Sequence, residues 1–249
     1  MKQFVFACLL ILAMVIVCPA STVSSRDYTC PICSTEFSAD CQLSQTIITS
    51  YTQLDGKPFG AAIVPDLLPL CPNCHFPQLQ QDLDIELIAQ LREYVESEEY
   101  QLLAEDNTSY FLLAKIAEHL GSSLQQIGQL YQQACWQVDG GSIHYQDNPV
   151  KFREYADLAI NYFDQEAVDW LAYYGTVCAD LERKSGRMLE AYIRLRELKE
   201  LPLTEERLQV IDFELQLIEA GDSNPHFLSE ARGDTLPWSQ PDSTAVEQP

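Results

Sequence analysis

Apolar residues recur at helical spacing along most of the chain after Gln78. Within residues 84–95, for example, Leu87, Ile88 and Leu91 share one helical face, which is the pattern of an amphipathic helix. The pattern predicts about seven helices of roughly 10–20 residues. They span residues 84–105 with a break near Ser97, 109–120, 123–138, 148–163, 165–185, 188–201 and 204–220.

Residues that start or stop helices stand at these boundaries. Ser123 with Gln126 is a capping-box sequence, and Asn148 followed by Pro149 is a typical helix start. We expect Asn107 to cap the helix that begins at Ser109. Glycines that stop helices follow at Gly121, Gly140, Gly141 and Gly221. The short loops indicate antiparallel neighbours, in a helical-hairpin array or bundle.

The flanking segments lack this periodicity. Residues 21–29 are polar and predict a linker, and residues 30–80 are irregular apart from short β-prone runs at 46–52 and 61–64. Residues 222–249 contain four prolines and little apolar periodicity, so we expect a disordered tail.

The first twenty residues have the pattern of a secretory signal peptide. Lys2 precedes an unbroken apolar run, residues 4–17, and Cys18-Pro19-Ala20 provides small residues at a cleavage site. The run is short against the roughly 20 residues that span a bilayer, which disfavours an uncut membrane anchor. Lipidation at Cys18 is disfavoured because Val17 precedes it. We therefore expect an exported protein, periplasmic or extracellular, with no membrane span after cleavage.

Composition narrows the function classes further. The chain has 249 residues, of which 37 are Asp or Glu and 15 are Lys or Arg, for a formal net charge of −22. Such a surface repels nucleic-acid backbones, and residues 30–74 contain a single cation, Lys57. We expect no nucleic-acid partner.

The cysteines supply the strongest chemical signal. Cys30-Pro-Ile-Cys33 and Cys71-Pro-Asn-Cys74 are two copies of a CPxC pattern, with 37 residues between them. Two such turns offer four thiolates to one tetrahedral ion, the ligand set of a closed structural Zn²⁺ site. We predict that Cys30, Cys33, Cys71 and Cys74 bind one structural zinc, which would stabilise a segment with little core of its own.

Two alternatives remain for these cysteines. In an oxidising compartment the CPxC pairs can close as disulfides, or one pair can act as a redox-active dithiol. The second alternative defines a thiol–disulfide oxidoreductase. Duplication of the motif favours the metal, and neither copy stands where a strand meets a helix, the usual context of a redox CxxC.

Other candidate residues have plainer interpretations. Cys41 and His75 are spare ligands, of which Cys41 is expected to be buried and His75 to point away from the ion. Cys135 and Cys178 are expected in the helical core, with a disulfide between helices as the alternative. The acidic run Glu93, Glu96, Glu98 and Glu99 is typical of a solvated helix face, with divalent-cation binding as the alternative.

The motifs CPICSTEF, SYTQLDGKPFG and LPLCPNCHF, followed by YVESEEY and LYQQACW, resemble the bacterial family known as domain of unknown function 2225. The resemblance covers about residues 28–220. It implies paired CPxC knuckles, with the four cysteines as metal ligands, before a tetratricopeptide-like helical region. Ser34 and His75 follow the two motifs, whereas glycine is common after the second motif in that family. No activity is assigned to the family.

One helical hairpin resembles a degenerate tetratricopeptide repeat. Ala179, Gly186, Ala191 and Leu195 have the spacing of small or apolar residues where two helices meet, and Pro202 closes the hairpin. The aromatic residue expected near its start is replaced by Gly175.

The predicted fold is mainly α. A zinc-ribbon-like segment, residues 30–80, precedes an α-helical hairpin domain, residues 81–221, with one tetratricopeptide-like repeat. The expected function is an exported, non-enzymatic zinc-binding scaffold or adaptor whose helical domain binds a protein or peptide, with a basic partner favoured by charge.

Overall fold

A computed structural model describes residues 21–45, 51–59, 63–78, 83–140, 142, 144–165 and 168–234. Within these residues the chain is mainly helical, with a small N-terminal antiparallel sheet, as predicted. The strands are β1 (Ser21–Thr29) and β2 (Glu36–Gln45). The helices are α1 (Ile85–Val95), α2 (Glu98–Ala104), α3 (Ser109–His119), α4 (Leu124–Val138), α5 (Pro149–Phe163), α6 (Val168–Lys184), α7 (Met188–Leu198), α8 (Glu205–Glu219) and α9 (Leu228–Ala231). The predicted signal peptide lies outside the described residues.

The segment 21–29 is a strand, not the linker that its polar composition predicts. It pairs with β2 from Ser21↔Gln45 to Thr29↔Glu36, so the first CPxC motif forms the tip of a β-hairpin. Few apolar side chains support this ribbon, and one contact that does is the stacked pair Tyr28–Phe37, with ring centroids 5.6 Å apart. Backbone pairing rather than a hydrophobic face therefore defines the ribbon.

Helix caps explain most of the helix boundaries. The side chain of Ser123 accepts from the backbone N–H of Gln126 in a full capping box. At the start of α5 the side chain of Asn148 accepts from the backbone N–H of Lys151, and Pro149 is the first helical residue. The predicted cap at Asn107 is wrong. Thr108 is the N-cap of α3, without a side-chain hydrogen bond. The side-chain oxygen of Asn107 instead accepts from Tyr155 and Lys151 of α5.

The main core lies where α3, α4 and α5 pack together. Phe111, Tyr131 and Tyr155 meet there, with centroids 5.0–5.6 Å apart. Cys135 and Cys178 belong to the same core as buried free thiols, and burial raises the pKa of both. The structure thus has these two cysteines as core residues and contains no disulfide between them.

The hairpin α6–α7 owes its close packing to small residues. Ala179 and Ala191 are fully buried between the helices, and Gly186 turns the chain with a φ of +81°. A Cβ built on Gly175 would lie 2.8 Å from both methyl carbons of Leu198. Gly175, which departs from the repeat pattern, therefore allows α6 and α7 to approach each other.

The C-terminal segment is partly structured, contrary to the prediction of a tail from residue 222. Leu54 donates its N–H to the carbonyl of His226, and Leu228 donates to Thr52. Leu54 is buried with Val210 and Leu217 of α8. Residues 222–234 thus fasten the loop 51–59 to the helical part, whereas residues 235–249 lie outside the described residues.

A buried charge network connects the same loop to α4 and α6. The Lys184 ammonium lies 2.8 Å from a carboxylate oxygen of Asp55 and 2.6 Å from one of Asp139. The side chains of Lys184 and Asp55 are 2% and 0% exposed. Because Asp55 and Lys184 are both removed from water, loss of Lys184 would leave the Asp55 carboxylate buried without its closest cation and destabilise the fold, whereas loss of Asp55 would leave Lys184 paired with Asp139.

A second buried cluster contains two carboxyl groups and one guanidinium group. Asp180 and Arg183 form a fully buried ion pair, and Glu214 of α8 is also fully buried. Neither side-chain oxygen of Glu214 has a hydrogen-bond partner. Burial, followed by the charge of Asp180, raises the pKa of Glu214 well above its usual value.

Gly175→Ala tests the packing of the α6–α7 hairpin. We expect a loss of about 1–3 kcal/mol in the free energy of unfolding, because overpacking outweighs the roughly 1 kcal/mol that alanine gains in helix propensity. In a Leu198→Ala background the clash is absent and the same change should cost less, as measured by urea unfolding. If Gly175→Ala and Leu198→Ala changed the free energy of unfolding by strictly additive amounts, the proposed contact between residues 175 and 198 would be contradicted.

Glu214→Gln tests the buried carboxyl through pH. The raised folded-state pKa means that the folded protein retains the proton more strongly than the unfolded chain. Wild-type stability should therefore fall as pH rises above the unfolded-state value of about 4.3. Gln cannot ionise, so the stability advantage of the variant should grow between pH 5 and pH 8 in urea unfolding. Glu219→Gln, an exposed position on the same helix, is the control. If the free energies of unfolding of Glu214→Gln and the wild type differed by the same amount at every pH, Glu214 would not have the raised pKa assigned to it.

Candidate metal centre

The two CPxC motifs form turns with the same backbone hydrogen bonds. Ser34 donates its N–H to Cys30 and His75 donates to Cys71, each over 2.9 Å. The N–H of Cys30 in turn reaches the carbonyl of Thr35, and that of Cys71 reaches Phe76. Each turn sits at the tip of paired backbone, because Thr29 pairs with Glu36 and Leu70 bridges Pro77. The sequence repeat is therefore a structural repeat.

The residue after each motif adopts the left-handed backbone conformation. Ser34 has a φ of 62° and His75 a φ of 59°. This conformation is favourable for glycine and costs other residues energy.

The four sulfur atoms converge in one place. The Sγ atoms of Cys30, Cys33, Cys71 and Cys74 all lie within 4.8 Å of one another, close enough to bind a metal ion. The sulfurs of Cys30 and Cys74, and those of Cys33 and Cys71, are each 3.5 Å apart, and both contacts join different motifs. Cys33 is partly exposed and the other three are buried.

Polar hydrogens surround the sulfurs. The backbone N–H groups of Ile32 and Cys33 reach the Cys30 sulfur, and those of Asn73 and Cys74 reach Cys71 in the same way. The hydrogen bond with Cys74, together with the backbone donors, lowers the pKa of Cys30 to about 4, against the effect of burial. The same hydrogen bond, together with burial, raises the pKa of Cys74, so the thiolate, the form in which cysteine binds a metal, is favoured at Cys30 while Cys74 holds the proton.

The helical part holds the centre from one side. Arg92 donates to the carbonyl of Ile32 over 2.9 Å, and Tyr100 donates through its hydroxyl to His75 over 3.0 Å. Gln101 donates to the carbonyl of Cys74, also over 3.0 Å. These side chains of α1 and α2 hold the backbone of both turns, and the sequence analysis did not identify them.

The spare ligands lie outside the sulfur cluster. Cys41 is buried in β2, where it interacts with Tyr28, and neither Cys41 nor His75 belongs to the group of converging donors. Among the described residues no other set of three His, Cys, Asp or Glu side chains converges in this way. The acidic residues Glu93, Glu96, Glu98 and Glu99 are all exposed.

Comparison with known proteins provides no relative. No protein-family model, curated protein or solved structure matches the chain. The resemblance in its motifs therefore stays a prediction, and the function is inferred from the site itself.

A search of the described residues for membrane-spanning helices found none that is long and apolar enough.

His75→Gly tests the geometry of the second turn. Glycine relieves the left-handed conformation at the cost of a more flexible unfolded chain, so we expect a gain of up to about 1 kcal/mol in stability. Because the imidazole is not among the converging donors, the metal content should not change. His75→Val, which is β-branched, should lower the thermal midpoint. If His75→Gly lost the metal, His75 would count among the ligands, and the assignment of four cysteine ligands would be contradicted.

Proposed function

We propose that the chain is an exported scaffold protein whose Cys30, Cys33, Cys71 and Cys74 bind one structural Zn²⁺. The observation that supports this most directly is the convergence of the four sulfurs within 4.8 Å. Four sulfurs at the usual Zn–S distance of about 2.3 Å would lie about 3.8 Å apart at the corners of a tetrahedron. The separations of 3.5 Å between Cys30 and Cys74 and between Cys33 and Cys71 fit this value.

The ligand set favours a structural over a catalytic role. Four thiolates fill the tetrahedral coordination of zinc and leave no position for water or substrate. When bound, the ion would supply a cross-link between the two turns. Ile32 and Phe76, one in each turn, are buried against this centre. Metal binding would therefore contribute directly to the folding of the N-terminal part.

The helical part supports a binding role. It forms a series of packed helices with a strongly acidic overall charge, −22 for the chain. Such a surface favours a basic protein or peptide over a nucleic acid. Export is proposed from the first twenty residues alone.

The competing proposal is a thiol–disulfide oxidoreductase, which the lowered pKa of Cys30 would suit. The geometry favours the scaffold, because the Cys30 sulfur contacts Cys74 of the other motif over 3.5 Å and the sulfurs of both motifs converge in one cluster. A redox CxxC exchanges disulfides within one motif. The oxidoreductase would reduce insulin and lose that activity in Cys30→Ser.

Metal and thiol analysis of the purified full chain tests the proposal. We expect one zinc per chain and four thiols that become reactive only after chelation, because all four ligands are thiolates. Cys33→Ser should lose the zinc and unfold the N-terminal part, as followed by protease sensitivity. Cys41→Ser, a cysteine outside the cluster, should keep the zinc.

Absence of metal, with the four sulfurs paired as disulfides, would contradict the scaffold and favour disulfide clamps or a redox centre. Zinc retained by Cys33→Ser but lost from Cys41→Ser would show that the ligand set is wrong.

A further inference from the structure

A surface groove lies between the helices α1–α2 and the helix α3. Its volume is about 740 Å³, within the roughly 300–1,000 Å³ of ligand-binding clefts. The side chains of Tyr94 and His119 stack inside it with ring centroids 4.2 Å apart and planes inclined by 5°. The lining of the groove therefore combines two stacked aromatic rings with polar and charged side chains.

One carboxylate of the groove is held in a fixed position. The hydroxyls of Tyr131 and Tyr162 donate to Oε1 of Glu118 over 2.6 and 2.8 Å. Lys115 lies 2.8 Å from Oε2. Burial would raise the pKa of Glu118, but these hydrogen bonds outweigh it and the pKa is lowered. Two tyrosines from α4 and α5 thus maintain an ionised carboxylate at the groove.

Two further carboxylates of the groove have no counter-ion. Glu93 and Glu99 line the groove and are exposed. No ion pair of either residue occurs within the described part of the chain. The groove lining thus has three carboxylates and one ammonium, that of Lys115. This excess of negative charge beside an aromatic surface suits a guanidinium or ammonium group.

We propose that this groove is the docking site for a basic peptide segment of a partner protein. Arginine or lysine side chains of the segment would bind Glu93, Glu99 and Glu118, and Lys115 is the internal cation with which they compete. The inference rests on the proposed function, since it identifies the partner chemistry and the surface of the helical scaffold.

The groove is also tied to the candidate metal centre. Its α1–α2 wall carries Arg92, Tyr100 and Gln101, which hold the backbone of both CPxC turns. The wall and the metal centre therefore share one set of hydrogen bonds, and removal of the metal should weaken docking as well.

Fluorescence anisotropy with a defined probe tests the proposal. The probe is a labelled eight-residue peptide of alternating arginine and leucine, and its neutral control has citrulline in place of arginine. The protein is the full chain, with metal content measured on the same sample. We expect binding of the arginine peptide, weakened by 0.5 M salt, and at least tenfold weaker binding of the citrulline peptide.

Variants matched in net charge distinguish the groove from general attraction to an acidic protein. Glu93→Gln with Glu99→Gln should weaken binding at least tenfold, whereas Glu190→Gln with Glu219→Gln, exposed on α7 and α8, should change it less than twofold. Lys115→Gln removes the competing cation and should tighten binding at least threefold. Its control Arg196→Gln, exposed on α7, should change binding less than twofold.

The docking site would be overturned if the groove variants and the control variants changed the affinity for the arginine peptide equally. It would also be overturned if the arginine and citrulline peptides bound with the same affinity. If the docking site fails in this way but the samples contain zinc, the metal proposal still stands. If zinc is absent but the groove variants alone weaken binding, the docking site stands and the metal proposal fails.

Discussion

Sulfur atoms from two turns that are 37 residues apart in sequence meet within 4.8 Å. Two of their contacts, each of 3.5 Å, run between the motifs, so the N-terminal part depends on an interaction that neither motif can make alone. The β-ribbon and the second backbone pairing each carry one of the turns, and the α1–α2 pair holds the backbone of both turns through hydrogen bonds. A metal ion there would act as the centre of a small core that the surrounding sequence cannot supply.

The helical part could be predicted well because helix caps and apolar periodicity depend on residues that are close together in the sequence. The capping box at Ser123 and the Asn148–Pro149 start are found as expected. The four cysteines of the candidate site were also predictable, since the CPxC spacing defines a turn that directs two sulfurs to one side. The mainly α fold followed from periodicity over residues 84–220, where each helix has an apolar face.

Long-range contacts account for what the sequence did not reveal. Polar residues 21–29 become a strand through pairing with β2, which no local pattern indicated. Asn107 looks like a helix cap but instead binds Tyr155 of α5. Charged residues are usually exposed, but Lys184 and Asp55 are buried, where they form an ion pair between positions 129 residues apart. Arg92, Tyr100 and Gln101 contact backbone atoms, and a backbone contact leaves no mark in the sequence.

The contact between residues 52–54 and 226–228 has a consequence for the order of folding. These partners are separated by most of the chain, whereas the helix pairs from α3 to α7 join neighbours in sequence. Contacts between distant residues form late because a long loop must close first. The helices can therefore assemble while the chain is still being made. The backbone contacts of residues 52–54 with residues 226–228 form only once residue 228 has been synthesised. A chain truncated after residue 221 would therefore keep α1–α8 and the ion pair of Asp55 with Lys184, but residues 52–54 would lose these backbone partners.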